Sequence, residues 1–221
     1  MVPGTPLRVS RPRRRPRTRA EARVTIFVGL TGGVAAGKSA AMAAFEQQGA
    51  AVFSTDLAAH RALDLPEVRD ALLERWGDDV VVGGELDRNR IAGIVFKDAG
   101  ELEWLEALLH PRVRDEVARW RAELDPSVDL AVIEVPLLFE SGLEETFDAT
   151  VSIIAEDETR TVRMADRGHE GNEGRESRQL SQGEKAERST YVVRNDGSLD
   201  DLARAITDLS ANLRGATGGS E

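Results

Sequence analysis

Apolar residues in this chain fall into short unbroken runs separated by longer stretches of helix-period pattern. Val24–Leu30 is mostly apolar and ends in Thr31-Gly32-Gly33, as expected for a strand buried on both faces. Ser39–Gln48, rich in Ala, Met, Phe and Gln, predicts a helix that Gly49 closes. Ala50–Phe53 predicts a second strand leading into Ser54-Thr55-Asp56. From there to about Leu124 the pattern is mostly helical, with a turn at Gly83-Gly84 and a long helix that Pro111 is expected to open and that runs through Trp120. Leu130–Val135, Ala149–Ile154 and Tyr191–Asn195 predict three further strands. Asp157–Arg167 predicts a helix followed by a loop over Gly168–Gly174, and Leu199–Leu213 predicts a closing helix.

Strands that alternate with helices point to an α/β fold, a three-layer arrangement with helices on both faces of a parallel sheet. The helical stretch between the second and third predicted strands is too long for a simple crossover. It is expected to be an insert over about 57–127, in a domain whose core is about 24–56 and 128–215. The arginine-rich region over about 157–187 is a candidate lid, and 216–221 is expected to be a flexible tail.

Charge changes the picture at one end. Residues 1–23 hold eight arginines against Glu21, a net of +7; because the whole chain is −10, the remainder carries −17. With four prolines and no apolar core, this arm does not have the build of a secretory signal, and is expected to be a disordered leader or sequence upstream of the true start. An acidic body argues against a broad nucleic-acid surface, and no apolar run is long enough for a transmembrane helix. The chain has no cysteine, which excludes disulfides and thiol chemistry and suits the cytoplasm. His60, His110 and His169 lie far apart without metal-ligand spacing, so zinc is not expected. Small-molecule substrates and a monomer are the expectation.

The chemistry starts at Gly32-Gly33-Val34-Ala35-Ala36-Gly37-Lys38-Ser39, which matches the phosphate-binding loop G-x-x-x-x-G-K-[ST]. It follows a predicted strand and opens a predicted helix, the context in which backbone N–H groups and a helix N-terminus can wrap phosphates. Lys38 would reach the β- and γ-phosphates of ATP, and the Ser39 hydroxyl would ligate Mg²⁺. A guanine-reading NKxD motif is absent, so a GTPase is disfavoured. Asp56, just past the second strand, can be the base for an acceptor hydroxyl or the N-cap of the helix after it. Glu134 ends an apolar strand, where it can help hold Mg²⁺ or pair with a basic residue. His110 is a candidate acceptor-phosphate contact, or a cap or a buried histidine bonded to backbone, and Arg88 and Arg112 are candidate contacts to the same phosphates, or solvated surface. Arg163 and Arg167, four apart on one helix face, can neutralise a transferring phosphate or pair with Asp166 and Glu158.

Several segments in order carry a resemblance. Val28 to Ser39, Ser54-Thr55-Asp56 with His60, Gly84-Glu85-Leu86-Asp87-Arg88, Leu105-Glu106-Ala107-Leu108-Leu109-His110-Pro111, Val132 to Glu140 and Val192 to Leu199 together resemble the dephospho-coenzyme A kinase family over about residues 24–210. Two positions depart from the family pattern: Ser54 stands where the family has the first Asp of Asp-x-Asp, and Arg194 where it usually has Asp. The resemblance implies a P-loop NTPase fold and ATP-dependent phosphorylation of the ribose 3′-hydroxyl of dephospho-coenzyme A. It further implies that Ala40 and Asn195 join the ATP site, that Asp56, Lys38, Arg163 and Arg167 are catalytic, and that His60, Pro136, Leu137, Leu138 and Glu140 join the acceptor site. From the residues alone, two rivals stay open: a kinase for another small acceptor, and a nucleotide-binding adaptor without turnover.

Overall fold

The computed structural model describes residues 25–166 and 179–218. The basic arm over 1–23, Arg167, the Gly168–Gly174 loop and residues 219–221 lie outside the described residues. The chain divides into two compact units, Met1–Phe53 with Leu124–Glu221, and Ser54–Glu123.

The first unit is built on a parallel sheet of five strands, β1 (Ile26–Gly32), β2 (Ala51–Ser54), β5 (Leu130–Glu134), β6 (Ala149–Ile154) and β7 (Tyr191–Arg194), in the order β2-β5-β1-β6-β7. Strand β1 lies between β5 and β6, pairing Leu30 with Glu134 on one side and with Val151 on the other. The interior strands are almost continuously buried, which is why they show as unbroken apolar runs in sequence.

Successive side chains face opposite ways along each strand. One face presents Val28, Leu30, Val132, Val151, Ile153 and Val193 to helix α1 (Lys38–Gln47) and the closing helix α8 (Leu199–Gly218). Helix α1 contributes Ala41, Met42, Ala44 and Phe45; α8 contributes Leu202, Ile206, Leu209 and Leu213, spaced to form one stripe. Each large side chain buried in this way contributes about 1.5–3 kcal/mol. On the other face, Ser152 donates to the carbonyl of Lys185 in α7 (Gln182–Arg188), which seats that helix.

The second unit holds α2 (Thr55–Ala62), α3 (Pro66–Trp76), α4 (Arg88–Val95), α5 (Ala99–Glu123) and the hairpin β3 (Val81–Val82) and β4 (Glu85–Leu86). The hairpin turns at Gly83-Gly84, both at positive φ, as a two-residue turn of matching twist requires. The core of this unit is Ala62, Leu63, Val68, Leu72, Val80, Ile91, Val95, Leu105 and Leu109. Glu101 joins α5 to α3: its carboxylate accepts from Arg75 and from Trp76 Nε1, and Trp104 packs edge-on to Trp76.

Pro111 does not open a helix. It lies inside the 25-residue α5, so His110 is not a cap either. Proline removes one backbone donor within a helix. Beside it, the Leu108 carbonyl accepts from Arg112 Nη1 at 2.6 Å, a side-chain bond that supports the helix next to the lost backbone bond. Among the described residues, no helix is long and apolar enough to cross a membrane.

Candidate active site

The loop Gly32–Gly37 leaves the C-terminal end of β1 and enters α1. Two of its glycines are required by geometry. Gly37 has φ +104 and precedes the first turn of α1, and a Cβ there would stand 2.0 Å from Asn195 Nδ2. At Gly32, φ +150, a Cβ would meet the Ile153 carbonyl oxygen at 2.2 Å. Between them Ala35 also adopts a left-handed conformation, φ 57, an uncommon choice for a residue with a Cβ.

The loop carbonyls are held by named side chains. Lys38 Nζ donates to the carbonyls of Gly32 and Gly33, each at 3.1 Å. Arg160 Nε donates to the Val34 carbonyl at 2.8 Å. Asn195 Nδ2 donates to the Ala36 carbonyl at 2.8 Å. Asn195 follows β7, is only 3% exposed, and its own backbone N–H donates to Ile154. Its Oδ1 is buried and has no hydrogen-bond partner among the described residues.

Helix α6 (Asp157–Asp166) follows β6 and carries both Arg160 and Arg163. Arg163 Nη1 is buried and has no hydrogen-bond partner among the described residues, and it stands 3.9 Å from where a Gly37 Cβ would lie. An unsatisfied guanidinium nitrogen beside an anion-binding loop is an available donor for a phosphate oxygen. Asp196 ties the same region together, its Oδ1 accepting from the Glu156 N–H that leads into α6.

Glu134 is 9% exposed at the end of β5, opposite Leu30, and so lies near the base of the loop. Ser39 is exposed in the first turn of α1. Among the described residues, no group of three or more His, Cys, Asp or Glu could hold a metal. A serine hydroxyl and one carboxylate are hard oxygen donors, and they fit Mg²⁺, which takes few protein ligands and relies on phosphates and water for the rest.

After β5, the Pro136 carbonyl accepts from Thr31 Oγ1 at 3.1 Å and from Lys185 Nζ at 2.6 Å. Leu137 is half-buried. Leu138 is fully buried and lies against Gly29, so the expected acceptor contact is corrected: its side chain packs the core. Glu140 Oε1 lies 3.1 Å from Lys185 Nζ and accepts from the Leu180 N–H at 2.7 Å. Burial pulls the Lys185 pKa down, opposed by the hydrogen bond and charge of Glu140.

In the second unit, the cap of α2 is Ser54, whose hydroxyl accepts from the Leu57 N–H at 3.4 Å. The capping alternative for Asp56 is thereby overturned: Asp56 is exposed in the first turn, with its carboxylate outside the cap. His60 and His110 are exposed. Arg88 pairs with Asp64 at 3.2 Å and reaches the His60 carbonyl. Arg112 approaches Glu67 at 3.8 Å in addition to its bond to Leu108.

Residues 26–201 match the family model described as dephospho-CoA kinase. The chain belongs to the dephospho-CoA kinase family. It is 37% identical to a dephospho-CoA kinase of Thermus thermophilus, over 90% of this chain and 97% of the relative. It is 35% identical to one of Lactobacillus johnsonii, over 84% and 97%. Among solved structures, a Thermus thermophilus protein superposes with a TM-score of 0.72 at 37% identity, covering 86% of this chain and 98% of that one. Dephospho-CoA kinase from Campylobacter jejuni, at 23% identity and a TM-score of 0.65, shares the fold over 86% of this chain and 98% of its own.

Within this family member, three contributors to the site escape a sequence reading. Arg160 sits three residues before Arg163 and so on the same helix face, a spacing that could have flagged it. Gln182 follows the capping box that Ser181 and Glu184 form, a legible helix start. Its amide clamps Ala155, accepting from the N–H at 3.0 Å and donating to the carbonyl at 2.9 Å, and it crowds the position a Gly33 Cβ would take. Lys185 carries no such signal, since an isolated lysine is normally solvated.

Gly37→Ala is expected to combine left-handed strain with the overlap against Asn195, at a cost of about 1–3 kcal/mol in stability, and to weaken ATP binding. Chemical denaturation and nucleotide titration check this. Wild-type values in both would show that the loop tolerates a side chain there.

Proposed function

We propose that this chain is a dephospho-CoA kinase that moves the γ-phosphoryl group of ATP onto the ribose 3′-hydroxyl of dephospho-CoA, giving CoA and ADP. The observation that carries the reading is the phosphate loop itself. Its carbonyls are engaged by Lys38, Arg160 and Asn195, with a buried Arg163 nitrogen beside it that has no partner among the described residues, in a chain that matches the family from 26 to 201.

In this reading Gly32 to Ala40 and Asn195 form the ATP site, with the loop amides and the α1 N-terminus receiving the phosphates. Lys38 bonds to the β- and γ-phosphate oxygens, exchanging its loop carbonyls for them. Ser39 and Glu134 would hold Mg²⁺, which neutralises charge on those oxygens when bound. Asp56 accepts the proton of the acceptor hydroxyl, or orients that hydroxyl for in-line attack. Arg163, with Arg167, neutralises charge that develops on the transferring group. His60, Arg88, His110 and Arg112 supply donors to the acceptor's phosphates, with Pro136, Leu137 and Glu140 shaping the rest of its site. A cysteine-free chain suits work in the cytoplasm, and nothing in the reading requires more than one copy.

The purified protein, given ATP and dephospho-CoA, should yield a product heavier by one phosphoryl group, located on the 3′-oxygen by NMR. Adenosine and AMP should be poorer acceptors by on the order of 10²-fold in kcat/KM, the scale set by a few kcal/mol of lost remote binding energy. Equal use of AMP would favour a nucleotide kinase. No turnover with any acceptor, despite ATP binding, would favour an adaptor.

A further inference from the structure

We propose that Arg160 is a positioning residue for ATP: by holding the Val34 carbonyl, it fixes the peptide plane that turns the Ala35 N–H toward the phosphates. The inference rests on the kinase reading of the loop.

A trans peptide is planar, so the carbonyl of one residue and the N–H of the next point in opposite directions. Fixing the Val34 carbonyl against Arg160 Nε, at 2.8 Å, therefore fixes the Ala35 N–H on the opposite side of the chain. The same logic runs along the loop. The Ala36 carbonyl, held by Asn195, orients the Gly37 N–H, and the carbonyls held by Lys38 orient the N–H groups of Gly33 and Val34. These anchors differ in their other duty. Lys38 has a phosphate to bind, so its hold on the loop is given up when ATP arrives. Arg160 keeps its hold, because its guanidinium is engaged by the protein: Nε by Val34 and Nη1 by Asp157 at 2.9 Å, with the side chain only 15% exposed.

Ala35 is where such a restraint matters most. Its φ of 57 is disfavoured for a residue with a Cβ, and a left-handed residue persists only when its surroundings over-determine it. Without the Arg160 bond, the Val34–Ala35 peptide is free to rotate toward an ordinary conformation, which would swing the amide off the phosphates. The bond also docks the helix that carries Arg163, one turn further on, against the loop. Arg160 thus acts through backbone amides and a neighbouring arginine.

Two replacements separate orientation from charge. Arg160→Gln places an amide nitrogen the same number of bonds from Cα as Nε, restoring the donor without the charge. Arg160→Met keeps length and helix propensity with no donor. Calorimetric titration with ATP should show Kd raised about tenfold in Arg160→Met and restored to within about threefold of wild type in Arg160→Gln. Affinity for dephospho-CoA should be unchanged in both, and a thermal melt should show both proteins folded. ATP affinity like wild type in Arg160→Met would overturn the proposal, and so would an Arg160→Gln protein as weak as Arg160→Met, which would assign the effect to charge. Because the readout is binding, a wild-type protein that binds ATP but fails to phosphorylate dephospho-CoA would sink the acceptor assignment and leave this test decisive.

Discussion

Lys38→Ala is expected to abolish phosphoryl transfer, by about 10³-fold or more, in a protein that still folds. The reasons are local. Lys38 is the first residue of α1, half-buried, and its ammonium donates to the loop carbonyls of Gly32 and Gly33. The core beneath the loop is made by Leu30, Ala41, Phe45 and their neighbours, none of which the substitution touches. Alanine is also the best helix former, so the first turn of α1 is not weakened. What disappears is the one cationic side chain of the motif that can neutralise the β- and γ-phosphates as charge shifts in the transition state. A steady-state assay with ATP and dephospho-CoA, beside a thermal melt, checks this. Turnover near wild type from a folded Lys38→Ala protein would refute the phosphate-loop assignment.

Asp56→Asn is expected to cut kcat by about 10²–10⁴-fold while ATP affinity and stability stay near wild type. Structure sharpens this prediction. Sequence left Asp56 divided between base and helix cap, and asparagine caps almost as well as aspartate, so a stability change could have been argued either way. The cap is Ser54, whose hydroxyl receives the Leu57 N–H, and Asp56 is exposed one position inside the helix. Removing its charge sacrifices only a modest interaction of a carboxylate with the helix N-terminus, about 0.3–1 kcal/mol. A large loss of turnover without a matching loss of stability would mark the carboxylate as chemical. Normal turnover would place the base elsewhere. Ser54 also accounts for the family departure at its own position: where the family pattern has an aspartate, a serine here keeps the capping function, since both residue types are favoured caps.

Much of the fold is legible in the sequence. The apolar runs at Ala149–Ile154 and Leu130–Val135 announce buried strands because a parallel strand covered on both faces has no polar side to alternate with. The phosphate loop is legible because its glycines answer to backbone geometry: Gly37 sits at φ +104 against Asn195 and has no substitute of equal size. Helix α5 shows the limit of local rules. Pro111 is a helix opener by propensity, yet α5 runs through it, with Leu105 and Leu109 buried in the insert's core and Arg112 bonding the Leu108 carbonyl. Packing along a long helix outweighed the single lost hydrogen bond.

What sequence by itself determined, then, was the order of strands and helices, the phosphate loop and the candidate base, because each depends on spacing along the chain or on the intrinsic preferences of a few residues. Tertiary structure alone decided which distant side chains hold that loop in shape and which lysine is buried. Arg160 reaches Val34 across 126 positions and Asn195 reaches Ala36 across 159, and Lys185 is buried against Glu140 and Pro136. No spacing rule extends that far. An arginine or lysine reads as solvated surface until the fold removes the water around it and leaves a backbone carbonyl as its partner.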